Sequence, residues 1–319
     1  MQIIHFLGID VSRDWFDVAI FGSAKTARFD NTMEGLTAFA QHCEERDWSQ
    51  SFVVVEATGG YETRLLRFLI VQGAKVHRAT PLQAKHFIRS LGRHGKTDAI
   101  DALALARYGV ERHHELPLFV LPDEQQNRFN ALIMRRDDLV AFAMAEKARL
   151  HHPRYKDADD LVSGSVTDTL AFFERQIAAI EAELDALVKT APHLKKRIET
   201  LCSIKGIGRI SAYTLQAFMP ELGTLTRKTA ASLAGCAPHP RESGIRQRKR
   251  TVFGGRGTIR RILFLAAMAA RRYDPILKAF FEKLVAAGKL KMVALTAIMR
   301  KIIVIANAKL RDMTLATTG

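Results

Sequence analysis

Two short apolar runs near the start of the chain each stop at a carboxylate. The segment QIIHFLGI (residues 2–9) is rich in β-branched residues and ends at Asp10, and residues 52–55 form a continuous apolar run that ends at Glu56. An unpaired charge is costly inside a core, so each run reads as a buried strand that surfaces where its acid begins. Further strands are expected at 16–21, 27–29 and 75–78. Helices are expected at 33–45, 61–71 and 82–91, and a closing helix should start at Thr97, a good N-cap, and run through 99–110. Strands that lead, with short helices alternating later, describe a mixed α/β sheet over residues 1–121.

From Pro122 the pattern changes. Residues 123–151 and 166–190 are long, charged and rich in Ala and Leu. The second repeats apolar positions at Leu170, Phe173, Ile177, Ile180, Leu184 and Leu187, the 3-4-3-4-3 spacing of a coiled-coil seam. Residues 122–197 therefore read as a helical hairpin, either a dimerisation device or an intramolecular strut, ended by Pro192. The remainder, 198–319, reads as all-helical, with apolar-faced helices at 258–272, 275–287 and 291–308.

The charge is segregated. Residues 198–319 hold 22 Lys and Arg against 6 Asp and Glu, a net of +16, whereas residues 1–197 hold 26 against 27, a net of −1. Solubility does not require segregation, and this asymmetry points to a polyanion, most simply nucleic acid, for the last third. Cys43, Cys202 and Cys236 form no CxxC pair, which argues against a disulfide framework or structural zinc and suits a reducing compartment. The N-terminus lacks a basic region ahead of its apolar run, and no apolar stretch is long enough to span a bilayer. The expectation is a cytoplasmic protein with no membrane partner.

Asp98 and Asp101 are three apart at the start of the closing helix and share one face. Helix-dipole stabilisation alone accounts for that pair. It does not account for Asp10 and Glu56. Four carboxylates converging at a sheet edge would repel unless a hard cation, Mg²⁺ or Mn²⁺, held them. Two such ions roughly 4 Å apart could clamp the attacking and leaving oxygens of a phosphodiester. Asp14, Asp17 and Glu62, nearby in sequence, read as solvated surface charges.

In the basic third, LCSIKGIGRISAYTL has the form of a helix-hairpin-helix. Gly206 and Gly208 permit a tight turn whose N–H groups can face a phosphate, with Lys205 and Arg209 alongside. An ordinary helical turn would have the same glycines. The densest cluster, PHPRESGIRQRKRTVFGGRGTIRR, carries Arg241, Arg246, Arg248, Lys249, Arg250, Arg256, Arg260 and Arg261 around a Ser243-Gly244 pair, and reads as a glycine-rich basic loop. Arginines bind phosphate bidentately and could hold a scissile phosphate beside a serine. A Ser-Gly pair is also a common turn.

The segments GIDVSRDWFDVAI, VVVEATGGYE and KTDAIDALALARYG resemble the three acidic motifs of RuvC-like DEDD transposases, a branch of the RNase H-like fold. Residues from about 198 to 310 resemble the C-terminal domain of the same insertion-sequence recombinases, which are guided by a structured bridge RNA. The resemblance implies that Asp10, Glu56, Asp98 and Asp101 are metal ligands and that Ser243 is the nucleophile, forming a phosphoserine link to DNA. It further implies a tetramer on donor and target duplexes, in which the carboxylates of one subunit meet the serine of another. Two rivals remain: a junction-resolvase-like nuclease that cuts by water attack, and a non-catalytic nucleic-acid-binding protein.

Overall fold

The computed structural model describes residues 3–23, 25–92, 98–156, 159–243 and 246–318, with backbone alone at 98–99, 156, 239–243, 246–250 and 317–318. It divides into two compact units, Met1–Pro122 and Asp123–Gly319.

The first unit is built on a mixed five-stranded sheet. Its strands are β1 (His5–Val11), β2 (Trp15–Ile20), β3 (Thr26–Asp30), β4 (Ser51–Glu56) and β5 (Lys75–Ala79), in the order β3-β2-β1-β4-β5. The first three pair antiparallel, while β4 and β5 continue the sheet in parallel with β1. The helices are α1 (Met33–His42), α2 (Thr63–Val71), α3 (Pro81–Ser90) and α4 (Asp98–Arg112). The two faces of the sheet differ. Leu7, Ile9, Phe16, Val18, Val53, Val55 and Val76 pack on α1 and α2 residues such as Phe39 and Leu65. By the period-two alternation of a strand, Phe6, Gly8, Asp10, Asp17, Phe52, Val54 and Glu56 face the other way. There Leu105 of α4 joins Phe52 and Val54, and Ala102 and Ala106 join Ala19.

One residue lets α4 seat this closely. A Cβ on Gly8 would meet the Ala106 nitrogen at 2.1 Å and the Ala102 carbonyl oxygen at 2.2 Å, so the helix backbone lies directly on β1. Gly109 lies against Phe6, Phe52 and Val54. Moving back along α4 from 109 to 102–106 thus advances along β1 from Phe6 to Gly8. About 1.5 Å per helical residue and about 3.3 Å per strand residue carry that register onward. It brings the first turn of α4 to the Asp10 end of the strand.

The second unit begins with α5 (Glu124–Leu150), the short α6 (Pro153–Lys156) and α7 (Asp160–Thr190). Here α5 and α7 pack side by side; Arg136 Nε donates to Glu181 at 2.7 Å, and Phe142 stacks on Phe173. The base of the hairpin is part of a larger core: Phe129, Ile133, Leu184 and Val188 pack together with the remaining helices. Those are α8 (Pro192–Cys202), α9 (Arg209–Phe218), α10 (Arg227–Leu233), α11 (Gly257–Tyr273), α12 (Pro275–Ala286) and α13 (Lys291–Thr318). Between α10 and α11 lies an antiparallel pair, β6 (Pro238–Ser243) and β7 (Arg246–Val252). This corrects two expectations, the all-α C-terminal domain and the glycine-rich basic loop. The strand sequence RQRKRTV is almost wholly polar, so it carries no apolar/polar alternation by which a strand is recognised. Among the described residues no helix is long and apolar enough to cross a membrane.

Candidate active site and nucleic-acid interface

Asp10 and Glu56 sit near the C-terminal ends of adjacent parallel strands, on the face that α4 covers. Asp101 on α4 is only 8 % exposed. Asp98 is the first residue of α4, and the helix register puts its backbone at the same end of the sheet; its side chain lies outside the described residues. The donor chemistry, all carboxylate oxygen on one edge, fits a hard divalent cation. Among the described residues no three His, Cys, Asp or Glu side chains stand close enough together to hold a metal ion.

Two acids that look solvated in the sequence are buried. Asp17 is 5 % exposed and lies directly opposite Asp10 across β1 and β2, hence on the same face. The Arg28 guanidinium holds it with two parallel bonds, Nε to Oδ1 at 3.0 Å and Nη2 to Oδ2 at 2.8 Å. Glu62 is fully buried at the start of α2. Its Oε2 accepts the Thr58 and Gly60 N–H groups at 3.0 and 2.9 Å, and its Oε1 accepts Arg78 Nε and Nη2 at 2.9 and 2.5 Å. Burial works to raise the Glu62 pKa, but the main-chain N–H groups and Arg78 outweigh it and hold the carboxyl below its ordinary value.

These contacts fix the loop after Glu56. A second tie comes from Asn31, whose Nδ2 donates to the Ser12 and Tyr61 carbonyls at 3.1 and 3.0 Å. The exits of β1 and β4, the strands that carry Asp10 and Glu56, are thereby joined. Sequence reasoning misses Asp17, Asn31 and Glu62 because their partners Arg28, Tyr61 and Arg78 are distant in sequence. A further buried group, His77, donates its Nδ1–H to the Pro117 carbonyl oxygen at 2.8 Å, and burial lowers its pKa.

In the second unit, Ser243 closes β6 opposite Arg246 at the hairpin end, and Arg241 pairs with Arg248. Residues 244–245, like the side chains of Arg241, Ser243, Arg246, Arg248, Lys249 and Arg250, lie outside the described set. The segment expected to form a helix-hairpin-helix covers the end of α8, a turn and the start of α9. Gly206 has φ +96°, and a Cβ there would meet the Ala266 carbonyl oxygen at 2.3 Å, so this glycine is required by packing on α11. Gly208, the N-cap of α9, and Lys205 face solvent. The arginines are largely committed. Arg209 pairs with Asp185 and Glu181. Arg256 donates to the Phe218 carbonyl at 2.5 Å and pairs with Glu221. Arg260 holds the Gly235 and Gly254 carbonyls, and Arg261 pairs with Asp137 at 2.6 Å.

Comparison with known proteins places this geometry in a class. Residues 7–152 match a DEDD transposase domain of the IS110 type, and residues 198–282 match the IS116/IS110/IS902 transposase family. The chain thus carries both IS110-family transposase domains in sequence, and it is a DNA transposase or recombinase, an enzyme that cleaves and rejoins DNA strands. The DEDD match also supports an RNase H-like α/β fold for the first unit. Among curated proteins it is 28 % identical over 317 residues to the pilin gene-inverting proteins of Moraxella lacunata and Moraxella bovis, covering 96 % of each chain. An uncharacterised 43.6 kDa protein of insertion element IS110 from Streptomyces coelicolor is 31 % identical over 157 residues, which are 49 % of this chain and 38 % of that one.

Proposed function

We propose that the protein is an RNA-guided, site-specific recombinase of an insertion sequence that works through a phosphoserine–DNA intermediate. The observation that supports this most is the pairing of two transposase domains in one chain, the first with Asp10 and Glu56 on one sheet edge, the second with Ser243 in a strand pair rich in arginine. Ser243 Oγ attacks a backbone phosphorus and loses its proton, and a new P–O bond forms. The bond from phosphorus to one deoxyribose oxygen breaks, and that oxygen leaves as a hydroxyl. The ester keeps the bond energy, so a hydroxyl of another strand can reverse the step and rejoin DNA. The neighbouring arginines hold the phosphate and its developing charge.

Asp10, Glu56, Asp98 and Asp101 would hold Mg²⁺ or Mn²⁺, which when bound supplies Lewis-acid polarisation of that phosphate. Sequence choice falls to base pairing between a structured guide RNA and the donor and target DNA, which suits a protein whose cations read backbone. The α5–α7 hairpin leaves Phe142 and Met144 half or more exposed and would serve self-association as a dimer or tetramer. The similarity to pilin gene-inverting proteins along almost the whole chain favours a second outcome of the same chemistry, inversion of a DNA segment between two sites.

The test is a denaturing gel for a covalent protein–DNA adduct, with both DNA sites, Mg²⁺, and the guide RNA present or omitted. Wild type should give an adduct that is lost in Ser243→Ala, in Asp10→Ala and without RNA. Cleavage without adduct that survives Ser243→Ala would leave water as the nucleophile and overturn the serine mechanism.

A further inference from the structure

The cations of the second unit fall into two groups that sequence does not separate. Arg209, Arg256, Arg260 and Arg261 are each engaged by a carboxylate or a main-chain carbonyl. At the other end of α11, Arg271, Arg272 and Lys278 have no carboxylate within ion-pair distance among the described residues. They line a groove of about 440 Å³ between α11 and α12 together with Met268, Phe281 and Glu282. The Arg271 guanidinium lies 5.0 Å over the Phe281 ring, and that of Arg272 lies 5.5 Å over the ring of Tyr273, a residue that is 65 % exposed.

Each feature has a chemical consequence. An arginine placed over a ring is held there without using its N–H donors, so the fork remains available to a phosphate. A solvent-exposed tyrosine backed by a guanidinium is a platform on which a base can stack, provided that base is not already paired and stacked in a duplex. Basic residues in the last turn also favour the α11 dipole. That effect explains neither the exposed ring nor the nearby Lys278 on the next helix.

We propose that the α11–α12 groove binds an unpaired nucleic-acid strand, with a base on Tyr273 and phosphates on Arg271, Arg272 and Lys278. This goes beyond the recombinase reading and holds whichever group attacks the phosphate. The chemistry is shared by single-stranded DNA and by a loop of RNA, and the experiment separates them.

Full-length protein would be titrated into labelled single-stranded DNA, single-stranded RNA and duplex DNA of equal length, over a range of salt. Each cation that meets a single-strand phosphate contributes a slope of about 0.7 in log Kd against log salt. Replacing Arg271, Arg272 and Lys278 together by Gln should therefore lower that slope by about 2. Tyr273→Ala should weaken single-strand binding about tenfold, Tyr273→Phe should retain it, and duplex binding should change little with either. The larger loss on RNA or on DNA names the strand. An unchanged slope in the triple variant, or equal losses on duplex and single strands with Tyr273→Ala, would overturn the proposal. Tyr273 is exposed, so both of its variants report on binding even if the triple variant melts early.

Discussion

The two units position charge by different means. In the first, Asp10 and Glu56 are fixed by the main chain: each lies where a buried strand runs out, and the sheet register sets both on the face under α4. In the second, the charge is carried on long arginine side chains that reach several ångströms from their backbone. Four of the arginines picked out there are engaged by acids or main-chain carbonyls that the fold, not the local sequence, brings to them. A strand-end acid has one place to be, whereas the role of an arginine depends on which acceptors come within reach.

The sharpest break in that comparison is at Gly8. A side chain there would drive into the α4 backbone at 2.1–2.2 Å, and main chain cannot rotate aside. Gly8→Val should cost more than about 3 kcal/mol and displace Asp101 from the sheet edge. Thermal melting should fall and strand cleavage should disappear together. A variant that melts and cuts like wild type would mean that α4 does not sit on β1.

Next in size is Glu62. Glu62→Ala leaves two N–H groups and the buried side of Arg78 without an acceptor. Because Arg78 is 42 % exposed, the expected loss is about 2 kcal/mol, below that of a fully buried pair. Glu62→Gln should lose less, since its carbonyl still accepts. The sign with pH comes from linkage. The folded pKa lies below the ordinary 4.5, so the unfolded chain binds the proton first. The stabilisation is present above pH 4.5 and is lost as pH falls through the folded value, and the Gln variant should lack that acid-side fall.

His77 gives a smaller effect in a higher window. Burial holds its folded pKa below the ordinary 6.5, with the Pro117 carbonyl opposing. Protons therefore favour the unfolded state, and stability of the first unit should decline as pH drops below 6.5. His77→Gln should flatten this part of the melting-temperature profile. A profile unchanged by the substitution would show that His77 takes up its proton equally in the folded and unfolded chain and would overturn this reading.

The same contrast governs what is legible in the sequence. The strands that carry Asp10 and Glu56 and the long helices α5 and α7 are readable from apolar periodicity, because burial leaves its mark in sequence at a period of two or of 3.6. The β6–β7 pair escapes because the β7 residues are polar on both faces and nothing alternates. Asp17 and Glu62 look solvated because burial of an acid depends on its partner, and Arg28 and Arg78 are contributed by other strands. Gly206 looks like part of a phosphate turn, though a helix 60 residues later requires it. Contacts that close over long sequence separations leave no local signature.

The smallest expected effect tests the split among the arginines themselves. Arg256 donates to the Phe218 carbonyl and pairs with Glu221, with 41 % of its side chain exposed. Its removal costs a charge-assisted bond at a half-exposed site, about 1 kcal/mol, or roughly 2–4 °C in melting temperature for a unit of this size. Because that guanidinium already has its acceptors, Arg256→Gln should leave the salt slope of nucleic-acid binding unchanged while lowering stability. Arg272→Gln should do the reverse: no change in melting, and a slope reduced by about 0.7 on a single strand. If the two variants moved both quantities alike, the engaged and open cations would be one surface, and the path of nucleic acid would run along the whole of α11.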